Sequence, residues 1–136
     1  MADITKIAPV IIKDGKFLIV RGKGQDFWKN VGGVLEDGET EIDCLKRETK
    51  EELDVDISEP VTKYYETPVT FTVTEPKRSL IIKLYRAEIL GEPKPASEIE
   101  ELHWISKKEF ESGEYSIAYQ INDYILPKLV KDGLVK

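Results

Sequence analysis

Residues 31–55 read VGGVLEDGETEIDCLKRETKEELDV, a glycine-rich loop running into a charged segment that closes on Arg47, Glu48, Glu51 and Glu52. On a helix of about 3.6 residues per turn, Glu48, Glu51 and Glu52 stand at i, i+3 and i+4, so their side chains share one face. Like charges at this spacing cost roughly 0.2–0.5 kcal/mol per pair, and anions near a helix C-terminus oppose the macrodipole. A hard divalent cation among the three carboxylates would turn that cost into a binding site.

The surrounding residues define this segment as a helix with two different sides. Thr40 suits the N-cap, Glu39 and Glu41 suit the positive end, and Ile42, Leu45, Thr49 and Leu53 form an apolar stripe. Arg47 flanks the carboxylates, and Cys44 lies near their edge, where it reads as a packing residue because no histidine accompanies it. Asp54 follows as a residue that tolerates the left-handed cap conformation.

Upstream, ITKIAPVIIK and KFLIVR flank Asp14-Gly15, the signal of an antiparallel hairpin, with Pro9 making the first run irregular or partly an edge. The loop RGKGQDFWKN then offers Arg21, Lys23 and Lys29 to phosphates and Phe27 as a ring free to stack on a base, while Trp28 reads as buried. Downstream, VTKYYETPVTFTVT alternates at Val69, Phe71 and Val73, and SLIIKLYRAEIL reads as a further strand. Ser106 and Glu109 have capping-box spacing, and a last helix over about 116–130 meets Pro127, which kinks or shortens it. The order β-β-(β)-α-β-β-β-α-α implies an α/β protein: an α/β/α sandwich with a mixed central β-sheet.

A chain of 136 residues with 40% apolar content fits one domain over residues 1–136. No stretch approaches the roughly 20 apolar residues of a membrane span, and the opening MADITKI lacks a signal-peptide pattern, so a cytoplasmic protein is expected. One cysteine and one histidine, His103, exclude an internal disulfide and a zinc cluster, leaving oxygen as the metal ligand. His103, beside Trp104 in a strand, reads as structural. A net charge of −6 argues against a nucleic acid polymer as partner.

The spacing Gly33, Glu39 and then Arg47-Glu48-Thr49-Lys50-Glu51-Glu52-Leu53-Asp54-Val55 resembles the Nudix box, G-x5-E-x7-R-E-U-x-E-E-x-G-U with U apolar. Every charged position matches; Asp54 stands for the glycine, Thr49 for a bulkier apolar residue, and Val31 where a proline often precedes the glycine pair. The resemblance is to the Nudix hydrolase (MutT-like) family and implies a Nudix-type sandwich and a pyrophosphohydrolase dependent on Mg²⁺, with Mn²⁺ able to replace it. It implies Gly32 (through its carbonyl), Glu48, Glu51 and Glu52 as metal ligands, with Arg47 and Glu39 holding them. The general base is a box glutamate or an acidic residue before the last strand, of which Glu98 is preferred to Glu100 and Glu101. Arg21, Phe27 and Lys29 remain for the substrate. The implied partner is a nucleoside diphosphate linked to another moiety, with Val31-Gly32-Gly33 leaning toward an oxidised nucleoside triphosphate or an ADP-ribose-like molecule. A homodimer is left open. The alternative is a non-catalytic Nudix-fold sensor of a nucleotide sugar, whose expected sign is loss of box carboxylates.

Overall fold

The computed structural model describes residues 2–136. Its strands are β1 (Ile4–Val10), β2 (Ile12–Lys13), β3 (Lys16–Gly22), β4 (Trp28–Asn30) and β5 (Gly33–Val34), followed by α1 (Glu41–Leu53). Then come β6 (Asp56–Glu66), β7 (Thr70–Phe71), β8 (Ser79–Leu90), β9 (Ile99–Ile105) and α2 (Lys107–Ser112), and finally a π-helical turn (Ile121–Ile125) that continues into α3 (Leu126–Lys131).

The strands form two sheets. One is mixed, in the order β5-β1-β8-β6 with β7 also on β8, and its β1 and β8 run parallel from Ile4 opposite Leu80 to Val10 opposite Arg86. The other is antiparallel: β3 pairs with β9, and with β2 and β4. Successive strand residues face opposite ways, and β1 uses both faces. Ile7 packs with Leu45, Cys44 and Ile57 beneath α1, whereas Ala8 and Val10 join Leu80, Ile82 and Leu84 beneath Ile121, Ile125, Leu126 and Leu129. Helices therefore cover both faces of the mixed sheet, as expected.

Three local expectations change. The Asp14-Gly15 hairpin exists, with both residues at positive φ (52° and 73°), but it joins β3 only to the short β2. The longer part of the first run, β1, belongs to the other sheet, and Pro9 lies inside it, where β5 pairs only with Lys6 and Ile7 and needs no N–H from position 9. The alternation at Val69, Phe71 and Val73 points to solvent, with these residues 51%, 54% and 40% exposed. Thr70 faces inward instead because its hydroxyl donates to the Leu80 carbonyl at 2.9 Å. Pro127 is accommodated at the second position of α3, where the preceding turn widens and the Leu126 N–H bonds the Ile121 carbonyl five residues back.

Candidate active site

Helix α1 is held at both ends by its own residues. Thr40 Oγ1 accepts from the Asp43 N–H at 3.1 Å, and Asp54 takes the left-handed cap conformation (φ 55°, ψ 38°) with its N–H on the Lys50 carbonyl. An aspartate thus serves where the Nudix box has glycine. Thr49 is fully buried and satisfies its hydroxyl on the Leu45 carbonyl at 2.7 Å. Cys44 is equally buried, and burial pushes its thiol up to about 12, which makes it inert packing. The segment between β8 and β9 closes the helix end, with Lys94 N–H on the Leu53 carbonyl and Ala96 N–H on the Glu52 carbonyl.

The glycine pair and the carboxylates meet directly. The Gly32 N–H donates to Glu52 Oε1 at 2.8 Å. Gly32 adopts φ +132°, and a Cβ there would strike the Ile7 carbonyl oxygen and Ala8. A Cβ at Gly33 would overlap the Glu48 carboxylate, so that carboxylate occupies the space the glycine leaves. Glu51, one turn on, is half exposed.

Arg47 organises this cluster. Its Nε and Nη2 donate to the two oxygens of Glu39 at 2.6 and 3.0 Å, Nη1 donates to Glu48 at 2.8 Å, and Glu51 stands 3.6 Å from Nη1. The paired guanidinium holds the Glu39 carboxyl down at about 2. Glu52 behaves oppositely: burial pushes it up to about 7, against the Gly32 N–H and the charges of Lys6 and Lys29, which favour ionisation. Burial in turn lowers the Lys6 ammonium, with Lys29 adding to the effect.

Around the seam between the sheets lies a cavity of about 250 Å³. Phe27 and Lys29 line it, together with Lys6, Asn30, Ile82 and Gln120. Trp28, partly buried, packs on the main core. Arg21 is placed elsewhere: its guanidinium bonds Glu100 at 2.5 Å, Glu101, and the Gln25 carbonyl at 2.9 Å, and it is not among the cavity residues. Glu98 is exposed, and its carbonyl accepts from the Lys23 N–H. His103 bonds Glu109 through Nε2 at 3.0 Å and stacks on Tyr115, a structural setting apart from the carboxylates.

Lys6, Asn30 and Gln120 are site residues that sequence reading passed over. Lys6 carried a signal, a lysine on the same strand parity as buried Ala8 and Val10. Gln120 carried none, because its partners Thr70 and Phe71 lie some fifty positions away.

No three potential metal-binding side chains form a ready-made cluster among the described residues. The donor set nevertheless suits Mg²⁺: carboxylate oxygens of Glu48 and Glu52 gather on one glycine loop with Glu51 adjacent, all hard ligands, with excess negative charge.

The model of the NUDIX domain family matches residues 4–129. Among curated proteins none matches the sequence. Solved structures do. A NUDIX hydrolase from Nitrosomonas europaea superposes with a TM-score of 0.74 at 18% identity, covering 96% of this chain and 90% of that one. The E. coli ORF135 protein does so at 0.60 and 25% identity, covering 93% and 86%. A bifunctional NMN adenylyltransferase/ADP ribose pyrophosphatase from Francisella tularensis gives 0.71 at 20% identity, covering 96% of this chain and 41% of that one. The chain belongs to the NUDIX domain family, and its class is that of a Nudix hydrolase acting on phosphoric anhydride bonds.

Proposed function

We propose that residues 1–136 form one Nudix domain that hydrolyses a nucleoside diphosphate linked to another moiety, in a reaction dependent on Mg²⁺ or, in its place, Mn²⁺. The observation that carries this reading is the convergence of Glu48 and Glu52 on the Gly32–Gly33 loop, with Arg47 and Glu39 fixing the helix face beside them. The Gly32 carbonyl, Glu48, Glu51 and Glu52 would hold the ion. Bound there, it would neutralise the diphosphate oxygens and so lower the barrier to attack by water.

The chain's own residues supply the rest. Lys6 and Lys29 present ammonium groups between the cavity and Glu52, which suits a phosphate chain passing from one to the other. Phe27 offers its ring to the group in the cavity. Arg47 and Glu39 act as positioning residues, since each contacts other side chains in the cluster. The attacking water gives its proton to Glu98 or to a box glutamate such as Glu52, since a carboxylate at either place can accept it. Arg21 is given no part in binding, because its guanidinium is already engaged.

The substrate is a small nucleotide derivative, not a nucleic acid polymer, and an oxidised nucleoside triphosphate or an ADP-ribose-like molecule fits the reading. The Francisella tularensis neighbour is named an ADP ribose pyrophosphatase, which supports including the second. The test is incubation with a panel of nucleoside diphosphate derivatives and Mg²⁺, with phosphate-containing products resolved by chromatography. Turnover that Glu52→Gln abolishes is expected. Nucleotide binding with no turnover of any member would replace this reading with that of a sensor.

A further inference from the structure

The cavity between the sheets contains a hydrogen-bonding surface whose polarity is set by the protein. Gln120 is 2% exposed and lines the cavity. Its Nε2 donates to the Phe71 carbonyl at 2.7 Å and to Thr70 Oγ1 at 3.4 Å. A carbonyl can only accept, and the Thr70 hydroxyl has given its own proton to the Leu80 carbonyl, so it too accepts from Gln120. Both Gln120 N–H groups are therefore used, and the orientation of the amide is fixed.

Oε1 is the atom left over. Among the described residues nothing donates to it, and Gln120 is one of the residues that line the cavity. Asn30, also 2% exposed, lines the same cavity, with Nδ2 donating to the Val31 carbonyl at 2.8 Å. A ligand that enters the cavity displaces water from such an oxygen, and the loss is made good only when the ligand supplies an N–H in its place.

The remaining walls describe the ligand's shape. Phe27, Leu80, Ile82 and Ile121 give apolar surface, and about 250 Å³ is near the lower end of small-molecule pockets, room for one flat ring system. Thr70 pairs with Leu80, and Lys6 pairs with Ile82 two residues further along β8. β7 and β1 flank β8 on opposite edges, so with about 3.3 Å per residue along the strand and about 4.8 Å between neighbouring strands the amide end and the lysine end are roughly 12 Å apart. A base at one end and phosphates at the other span that separation through the sugar.

We propose that this cavity selects nucleosides whose base carries an exocyclic amino group, received by Gln120 Oε1, over the corresponding oxo bases. An oxo base would set a carbonyl oxygen against Oε1 and leave both acceptors without a proton. The placement of the phosphates rests on the hydrolase reading, but the preference itself is a property of binding and can be measured without catalysis.

Isothermal titration without divalent metal, using the matched pairs CMP/UMP and AMP/IMP, tests it. The amino member of each pair is expected to bind roughly tenfold more tightly, about one charge-free hydrogen bond. Gln120→Met should bring the members of each pair within about twofold. Equal or tighter binding of the oxo members by the unaltered protein overturns the proposal, however well the variant folds, and so does no binding of any member at millimolar concentration. Rates for CTP/UTP and ATP/ITP with Mg²⁺ separate the two claims. Selective binding with no turnover of these or of other diphosphate derivatives keeps the amino preference and removes the hydrolase; turnover without preference does the reverse.

Discussion

At the scale of single residues, the site holds two carboxylates driven in opposite directions. Glu52, buried against the glycine loop, is pushed up to about 7, while an unfolded glutamate titrates near 4.3. Between those values the native state binds the extra proton, so the metal-free protein loses stability as pH rises from about 4.3 to about 7, and the penalty is complete above 7. Glu52→Gln keeps an oxygen for the Gly32 N–H and removes the charge. It should stabilise the metal-free protein at pH 8 by about 1–3 kcal/mol and change little at pH 4, as read from urea unfolding at the two pH values; a variant less stable than the parent at pH 8 would contradict this. Mg²⁺ should then stabilise the parent at pH 8 more than the variant. Glu39 has the opposite sign. Its carboxyl, held at about 2 by Arg47, contributes stability above the unfolded glutamate range, and that contribution fades as pH falls toward 2. Arg47 works through the residues it holds, so Arg47→Ala should cost about tenfold to a hundredfold in kcat/KM and Glu52→Ala more. Arg47→Lys should recover little, because an ammonium cannot engage both oxygens of Glu39 and also Glu48. If Arg47→Ala proved the more damaging change, the division of roles would fail. Glu98→Gln tests the loop candidate for the base: loss of the acid limb of the pH–rate profile marks Glu98, and a retained limb leaves the role to a box glutamate.

At the scale of elements, the decisive unit is α1 with the loop that feeds it. Gly33→Ala places a methyl where the Glu48 carboxylate now lies, at a position whose φ is ordinary, so the helix and its caps are undisturbed while the carboxylate must move. Displacement on the order of 1 Å costs about a hundredfold in rate. The expected result is a Tm within a few degrees of the parent and a kcat/KM lower by about that factor, measured side by side. Retained activity would mean that Glu48 need not sit on the loop. This unit was legible in the sequence because what specifies it is local: Thr40 as N-cap, Leu45, Thr49 and Leu53 of the expected stripe, and Asp54 as the cap, all within one helix length, although Ile42 is only partly buried and Cys44 takes a place in the core beside the stripe. The strands were less legible for the converse reason. β1 reads as half of a hairpin until β8, some seventy residues later, is seen to pair with it in parallel. β7 turns Val69 and Phe71 outward because Thr70 has inward partners in Leu80 and Gln120, which no window around residue 70 contains. The turn over Ile121–Ile125 widens to suit Pro127, a departure that apolar periodicity alone does not show.

At the scale of the molecule, the cavity belongs to neither sheet alone. Lys6 and Ile82 come from the mixed sheet, Lys29 and Asn30 from the antiparallel one, and Gln120 from the chain that caps both. The α/β class and helix-covered mixed sheet followed from element order, yet the division into two sheets depends on pairings between distant segments, and so does the meeting of these residues. A ligand bridging the seam must stabilise the two sheets together, since separating them destroys its site. At a hundred times its Kd a ligand adds about 2.7 kcal/mol. For a chain of 136 residues that corresponds to a rise in Tm of roughly 10 °C. A non-hydrolysable nucleoside diphosphate analogue with Mg²⁺ should produce such a shift in a single cooperative transition, and hydrogen exchange should slow together in β1 and β4. Slowing confined to one sheet, or saturation of binding with Tm unmoved, would place the ligand outside the seam. Lys29→Ala and Lys6→Ala supply the control: each lies on a different sheet, and either should reduce the shift for a phosphorylated ligand while leaving that for the free nucleoside in place.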